Sequence, residues 1–356
     1  MENLNKYIVY RNQNIRDAIK KMDQGGIGFI VCVDENENVI GVISDGDFRR
    51  AILNGTSLNE SVFSITNKNF KYFNKGYIKE DALKVFRETV VRHIPVLEDD
   101  KLVEIITEDI FFGIKDKEIH RYFLNIPVVI MSGGKGTRLE PFTRILPKAL
   151  VPLGDKTMIE VIMDEYAKYG MRNFYISVNY KAKMIKAYFE DQDIVYKIEY
   201  INESRPLGTV GALKFLENKI NSTFFVSNCD IIIRDNYCKI YEFHKDRKFD
   251  LTLVASMQHH TVPYGVCEIG NEGNLKEIKE KPEYDFLVNA GMYLLEPSVF
   301  KLIPKDEYFN MTDLIERAQK EGLTVGVYPV SEKSYVDIGQ LSEYKKTLKL
   351  LFDYDN

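Results

Sequence analysis

The sequence lacks a long apolar run. Its longest apolar stretches, such as residues 126–131, have the length of a strand, whereas crossing a bilayer takes about 20 apolar residues. Residues 1–16 are interrupted by charged side chains and so lack the apolar centre of a signal peptide. We therefore expect a cytoplasmic protein that neither enters a membrane nor is exported.

Cysteine is scarce, and a cationic excess is missing. The four cysteines show neither close pairing nor metal-ligand spacing, which favours reduced thiols. Acidic residues (53) outnumber basic ones (48), so the net charge of -5 leaves no basic stripe for nucleic acid or anionic lipid. With 45% hydrophobic residues, a chain of 356 residues fits two ordinary globular domains.

The first third of the chain contains an internal repeat. Residues 15–52 follow the pattern helix, strand, turn, strand, helix, and a similar order returns at residues 80–112, after an Asn- and Lys-rich bridge. The segment GVISDGDFRRAI, residues 41–52, resembles the CBS family. We therefore predict an α+β pair of CBS domains over residues 1–120.

The resemblance to CBS domains implies an adenine nucleotide ligand and a homo-oligomer, because paired repeats of this family bind nucleotides and also dimerise. In that family a Ser or Thr followed three residues later by Asp often holds the ribose hydroxyls, and the first repeat has Ser44 and Asp47. In the second repeat Ile110 stands three residues after Thr107, so at best one ribose site is intact. A purely structural or dimerising role is equally open.

From residue 126 onward, apolar runs of strand length alternate with helical segments. Such alternation predicts an α/β, Rossmann-like domain over residues 126–356. Its sheet would be mainly parallel, with ligands bound at the carboxyl ends of the strands. Directly after the first of these runs comes SGGKGTRLEPFTRILPKALVPLG, residues 132–154.

This loop has the composition of a phosphate cradle. Gly133, Gly134 and Gly136 allow backbone N–H groups to approach phosphate oxygens, and Arg138 and Lys148 add positive charge. Neither common glycine fingerprint fits, because Lys135 precedes the last glycine and the third glycine of GxGxxG is missing. A bare glycine turn between strand and helix is the alternative interpretation.

The extended motif resembles sugar-phosphate nucleotidyltransferases. GGxGTRLxP and PKALVPLG are followed in order by PLGTVGA, FVSNCD, YGV, EKP, NAGMY and YVDIG, the last ending at Gly339. The resemblance implies an enzyme that joins a sugar 1-phosphate to the α-phosphate of a nucleoside triphosphate and releases pyrophosphate. Such catalysis relies on positioning and charge neutralisation.

The same resemblance assigns roles to individual residues. It implies Mg²⁺ held by Asp230 and Asp337, the β- and γ-phosphates bound by Arg138, the α-phosphate by Lys148 and the sugar phosphate by Lys281. The implied nucleotide contacts are Gly133, Gly134, Gly136, Thr137, Glu203, Pro206, Gly208 and Thr209. The implied sugar contacts are Tyr264, Gly265, Glu280 and Asn289. Cys229 stands where the family commonly has Gly, and we expect it to adjust the geometry at Asp230 only slightly.

Glu203 stands where the family reads the base. Thymidylyl and uridylyl enzymes tend to have Gln there, whereas a carboxylate only accepts hydrogen bonds and so suits the two adjacent donors of guanine. GTP is therefore the favoured nucleotide, and a solvent-facing loop glutamate is the alternative.

The order of the domains is similar to that of the guanylyltransferases that activate glucosamine 1-phosphate for bacterial legionaminic acid synthesis. It implies that sugar, while mannose 1-phosphate, glucose 1-phosphate and another nucleotide stay open. A different class of function is an inactive nucleotide sensor that uses this fold without turnover.

Overall fold

A computed structural model describes residues 4–89, 91–107, 123–192, 194–341 and 343–344. The chain divides into two compact units, Met1–Ile119 and His120–Asn356. The predicted domain limits at residues 120 and 356, and Ile110, lie outside the described residues. No helix in the described ranges has both the length and the apolar character that a bilayer span requires.

The first unit repeats one strand, one helix and two further strands. In each copy the first strand runs parallel to the second and the third runs antiparallel to it, giving two three-stranded sheets. The first copy comprises β1 Ile8–Tyr10, α1 Ile15–Gly25, β2 Phe29–Val33 and β3 Val39–Ser44, followed by α2 Asp45–Leu53. The second comprises β4 Phe73–Asn74, α3 Lys79–Glu88, β5 His93–Glu98 and β6 Lys101–Thr107. The short strands β1 and β4 were not predicted from the sequence.

The second unit is built on a seven-stranded sheet. Its strands are β7 Val128–Met131, β10 Asn173–Val178, β11 Lys197–Asn202, β12 Phe224–Asn228, β14 Leu251–Thr261, β17 Glu283–Leu295 and β18 Val325–Val330. They lie in the order β11-β10-β7-β12-β17-β14-β18, and only β17 runs antiparallel to its neighbours, so the predicted α/β class with a mainly parallel sheet is confirmed. Small two-stranded sheets are formed by β8 Pro152–Leu153 with β9 Lys156–Thr157, β13 Ile231–Ile233 with β19 Tyr335–Asp337, and β15 Val266–Ile269 with β16 Leu275–Lys279. The helices are α4 Phe142–Ile145, α5 Met158–Ala167, α6 Ala182–Glu190, α7 Tyr237–Asp246 and α8 Met311–Lys320.

Burial on both faces explains the central strands. All four residues of β7 are buried, as expected for a strand in the middle of a parallel sheet with both faces covered. In β12 successive side chains enter opposite layers: Phe225 packs against Tyr166, while Phe224 stacks on Phe300 with ring centroids 5.2 Å apart. Because β7, β10 and β12 are parallel, the segments that follow them emerge at one edge of the sheet.

Two buried tyrosines of one aromatic cluster provide a test of this core. Tyr237 Oη donates a 2.9 Å hydrogen bond to the carbonyl of Ile233, whereas Tyr166 Oη lies near the Ser227 side chain without reaching hydrogen-bond geometry. We expect Tyr237→Phe to lower the free energy of unfolding by about 1 kcal/mol. Tyr166→Phe should leave it unchanged or raise it. Urea unfolding of both variants measures the difference, and equal losses would contradict this assignment of polar contacts.

Candidate active site

The glycine-rich loop is anchored where it leaves β7. The backbone N–H of Ser132 donates to Ser177 Oγ on β10 at 3.1 Å, and Ser132 Oγ donates to the Ser177 carbonyl at 2.6 Å. Both serines are buried. The loop therefore begins from a fixed point at the carboxyl edge of the sheet, where the sequence predicts ligand binding.

Gly136 is needed for both backbone conformation and space. Its φ of 67° lies in the left-handed region, and a Cβ atom there would stand 2.9 Å from Lys148 Cβ. Thr143 Oγ1 donates to the Gly136 carbonyl at 2.9 Å, so the turn is also held from the following helix. The close approach lets Lys148 lie directly beneath the loop. Gly134 is exposed, with open space around it.

Strand pairing brings Asp230 and Asp337 together. Asp230 follows β12, Asp337 ends β19, and the antiparallel β13–β19 pair places Ile231 opposite Asp337. The N–H of Ile338 donates to the Asp230 carbonyl at 2.9 Å. A Cβ on Gly339 would stand 2.2 Å from Asp230 Oδ2 and 3.0 Å from Asp337 Oδ1, so both carboxylates border the same small space.

Lys148 forms an ion pair with Asp230, and the two side chains are only 17% and 15% exposed. Burial lowers the pKa of Lys148, but the neighbouring Cys229 and the carboxylates of Asp230 and Asp337 together outweigh burial, so the pKa is raised. Burial raises the pKa of Asp337, and Asp230 raises it further, against the lowering effect of the charges of Lys148 and Arg138. Arg138 is exposed in the turn Thr137–Leu139, so its charge acts on the site from the solvent side.

The aspartate pair suits a magnesium ion. Two carboxylates offer hard oxygen ligands, and their mutual repulsion would be relieved by a divalent cation. Within the described ranges no cluster of three or more His, Cys, Asp or Glu residues could hold a metal. The protein would thus contribute two ligands, and phosphate oxygens or water would complete the shell, as is usual for Mg²⁺.

Cys229 is part of the core. Its side chain is buried, and burial raises the pKa of the thiol to about 12, so it is neutral at physiological pH. A neutral buried thiol is a poor nucleophile. Cys229 therefore packs beside the charged residues without adding a charge of its own.

Glu203 lies next to the glycine-rich loop. It follows β11, it is only 8% exposed, and its Oε2 accepts from the N–H of Leu207 at 3.1 Å. Its Oε1 would be 2.7 Å from a Cβ on Gly133. Burial raises the pKa of Glu203, although the hydrogen bond from Leu207 and the Ser177 hydroxyl oppose that effect. The solvent-facing alternative for this glutamate is thus not what the structure shows.

The segment after Glu203 is braced by residues 309–311. A Cβ on Gly208 would stand 2.5 Å from the Phe309 carbonyl, and the N–H of Met311 donates to Thr209 Oγ1 at 2.8 Å. Gly208 and Thr209 therefore have a structural role at the start of α8. Pro206 is exposed in the same segment, and Thr137 is exposed in the glycine-rich loop.

The predicted sugar contacts fall in two places. Tyr264 is 75% exposed, and Gly265 lies against Glu280, with Oε2 of Glu280 3.0 Å from the position of a glycine Cβ. Lys281 follows directly and is exposed. Among the described residues no hydrogen bond or ion pair joins these four residues to the aspartate pair. Asn289 lies apart from them on β17, bonded to Tyr293 Oη at 2.7 Å and to the N–H of Gly291 at 2.9 Å.

Tyr335 and Gly339 were not given roles by the sequence analysis. Burial raises the pKa of Tyr335, and the charges of Asp337 and Asp230 raise it further. A signal was present in YVDIG, because Tyr335 precedes Asp337 by two residues and alternate residues of a strand share a face.

In the first unit, Ser44 and Asp47 form a capping box at the start of α2. Asp47 Oδ2 accepts from the Ser44 N–H at 2.8 Å and from Ser44 Oγ at 2.6 Å, and Asp47 also pairs with Arg50. Helix capping alone accounts for these contacts. The structure thus brings the two predicted ribose ligands together at the start of α2.

Comparison with known proteins places the second unit in a family. The nucleotidyl transferase family matches residues 127–352, and the CBS domain matches residues 5–54 and 62–112. The chain belongs to the nucleotidyl transferase family and carries tandem CBS domains. The resemblance to that family drawn from the motifs is confirmed.

Individual relatives are more distant and cover only part of the chain. Mannose-1-phosphate guanyltransferase of Yarrowia lipolytica is 37% identical over 187 residues, 49% of this chain and 50% of the relative. D-glycero-alpha-D-manno-heptose 1-phosphate guanylyltransferase of Campylobacter jejuni is 27% identical over 217 residues, 61% of this chain and 96% of the relative. HddC from Yersinia pseudotuberculosis, a solved structure, is 28% identical with a TM-score of 0.50, covering 63% of this chain and 99% of that one. The chain thus spans about half the length of the mannose-1-phosphate guanyltransferases it matches.

Gly339→Ala tests whether the two carboxylates must share this space. The added Cβ would overlap Asp230 Oδ2, so we expect the turnover of nucleotidyl transfer to fall at least ~100-fold while the protein stays folded. The matched control is Gly270→Ala, whose Cβ would meet nothing closer than 3.5 Å. Pyrophosphate release and circular dichroism measure the two properties, and wild-type turnover in Gly339→Ala would rule out the shared site.

Proposed function

We propose that the protein transfers a guanylyl group from GTP to a hexose 1-phosphate, giving a GDP-sugar and pyrophosphate. The observation that carries the choice of GTP is the buried Glu203 carboxylate beside Gly133. Guanine presents N1–H and an exocyclic amino group side by side, and a carboxylate can accept from both. Two guanylyltransferases among the relatives, and a related solved structure described as complexed with GMP-PN, support this choice.

The residues of the site support an in-line displacement. An oxygen of the sugar phosphate attacks the α-phosphorus of GTP and pyrophosphate leaves, so negative charge must be neutralised along that line. Lys148 would hold the α-phosphate, Arg138 the β- and γ-phosphates, and Lys281 the sugar phosphate. Mg²⁺ held by Asp230 and Asp337 would supply further neutralisation of the phosphate oxygens.

Lys148 has a further task before substrate binds. In the described structure its ammonium group compensates Asp230, so the two carboxylates are not left facing each other without a cation. When a triphosphate binds, its α-phosphate could replace Asp230 as the partner of the Lys148 ammonium group. This exchange lets the site hold strong opposite charges in a partly buried space.

For the sugar we propose glucosamine 1-phosphate, as a step of legionaminic acid synthesis in the cytoplasm. The support is the order of the domains, CBS repeats ahead of the nucleotidyl transferase unit. Mannose 1-phosphate, glucose 1-phosphate and a heptose 1-phosphate are the alternatives, the first and last suggested by the names of the relatives.

For the CBS unit we propose an adenine nucleotide ligand at Ser44 and Asp47 that regulates the transfer reaction. The support is that the two side chains already lie within hydrogen-bond distance of each other. Rotation of the Ser44 hydroxyl would let both groups turn to the vicinal hydroxyls of a ribose.

A substrate matrix tests the proposed reaction. The purified full chain is assayed for pyrophosphate release from GTP, UTP, TTP, CTP and ATP, each with four sugar 1-phosphates, with and without AMP. We expect the fastest release with GTP and glucosamine 1-phosphate, and a rate that changes when AMP is added. Preference for UTP or TTP would overturn the base assignment, and no release with any pair would favour the nucleotide sensor.

Glu203→Gln tests the base contact more directly. A neutral amide cannot accept from both guanine donors, so kcat/KM for GTP should fall by about 10- to 100-fold, while that for UTP is unchanged or rises. The raised pKa of Glu203 adds a pH effect: as pH falls, the carboxylate is protonated earlier than an exposed one, and the KM for GTP should rise. The variant should lose this pH dependence. Glu199→Gln, on β11 four residues before Glu203 and partly exposed, is the control, and identical pH profiles in wild type and Glu203→Gln would exclude the contact.

A further inference from the structure

The β15–β16 hairpin forms a two-stranded sheet of its own. All five residues of β16 are exposed, and within the described ranges its outer edge has no strand partner. Such an edge presents unpaired N–H and C=O groups, and a hairpin of two strands is only marginally stable by itself. The hairpin therefore has a free edge, and a further strand paired at that edge would stabilise it.

One face of the hairpin is apolar and open to solvent. The register places Cys267 opposite Ile278 and Ile269 opposite Leu275. Ile278, Leu275 and Ile269 are 58%, 61% and 72% exposed. The other face carries the ion pair between Glu268 and Lys279, with Nζ and Oε1 2.8 Å apart. A partner strand added at the free edge would place its own side chains beside those of the apolar face and reduce their exposure.

The charges along β16 are self-complementary. Lys276 and Glu277 precede Ile278 within β16, Lys279 ends the strand, and Glu280 is the next residue. If a second copy of the strand lies antiparallel with Ile278 on the two-fold axis, Lys276 faces the second Glu280 and Glu277 faces the second Lys279. Every charge then meets its opposite.

The registers centred on the two neighbouring residues lose this match. A two-fold axis at Glu277 sets Lys276 opposite the second Ile278, and an axis at Lys279 sets Ile278 opposite the second Glu280. Edge strands that avoid pairing commonly carry charges of one sign, often lysine, which repel a second copy. The alternating signs of β16 do not provide that protection, and they favour the register centred on Ile278 over the two next to it.

We propose that two copies of this chain associate through β16, antiparallel and with Ile278 at the two-fold axis, to form a four-stranded sheet across the interface. The contact is isologous, because the same residues serve both copies. The partner strand satisfies the edge N–H and C=O groups, and the two Ile278 side chains lie next to each other. Since few residues take part, the association should depend on protein concentration and weaken with salt.

Charge reversals test the register. The full chain, Glu277→Lys and Lys279→Glu are each studied by analytical ultracentrifugation over a concentration series. Either variant alone would set like charges opposite each other twice, so we expect its assembly mass to be half that of the wild type. An equimolar mixture pairs a strand that is positive at positions 277 and 279 with one that is negative at both. Opposite charges then face each other again, and the mixture should restore the wild-type mass.

The mixture separates association from damage within one hairpin, because a variant that failed to fold could not be rescued by the other. The assembly mass of each single variant should be half that of the wild type if the wild type is a dimer. The same holds if the wild type is a larger assembly that also uses a second two-fold interface elsewhere. A monomeric wild type at its highest soluble concentration, single variants with unchanged mass, or a mixture that stays at half mass would each overturn the proposal.

Cross-linking gives a second measurement. In a Cys267→Ser background, which removes the thiol opposite position 278, Ile278→Cys should form a disulfide-linked dimer on mild oxidation, because the two thiols meet at the axis. Ile269→Cys in the same background is the control, since Ile269 is more exposed than Ile278 but lies on β15, away from the axis. No dimer from Ile278→Cys, or equal dimer from both variants, would contradict the pairing.

Discussion

The electrostatic balance around Asp230 and Asp337 is the constraint on which the rest of the site depends. Backbone pairing of β13 with β19 fixes the two carboxylates beside Gly339, so they cannot separate to relieve their repulsion. Lys148 compensates one of them, and the glycine-rich loop approaches closely enough to keep that lysine in place. Negative charge held rigidly and only partly compensated is a suitable environment for a cation accompanied by phosphate.

Much of this arrangement could be predicted from the sequence. Apolar runs alternating with helical segments predict a mainly parallel sheet, and such a sheet gathers the residues that follow its strands at one edge. The motifs around Asp230 and Asp337 alone imply that both aspartates hold the same Mg²⁺ ion. Periodicity and motif spacing are sufficient to predict the central strands, because a run of consecutive buried apolar residues fits few positions other than the middle of a sheet covered on both faces.

Other features depend on tertiary contacts that a motif does not contain. Thr209 and Gly208 belong to a motif that the family resemblance assigns to nucleotide binding, yet they contact residues 309–311, which lie far along the chain. Ser44 and Asp47 show the opposite difficulty, because the same spacing serves helix capping and ribose binding. Register at the β15–β16 hairpin likewise depends on a bulge that the pattern of side chains does not reveal.

The proposed base contact and the proposed sugar contacts differ in rigidity. Glu203 is buried against the loop and hydrogen-bonded to Leu207, so the proposed base contact would be made by a preorganised group. Tyr264, Glu280 and Lys281 instead lie on or beside an exposed hairpin. Pairing of β16 between two copies would limit the motion of Glu280 and the adjacent Lys281. Association would then order the sugar side of the site without touching the base side, because Glu203 is held by the sheet edge and not by the hairpin.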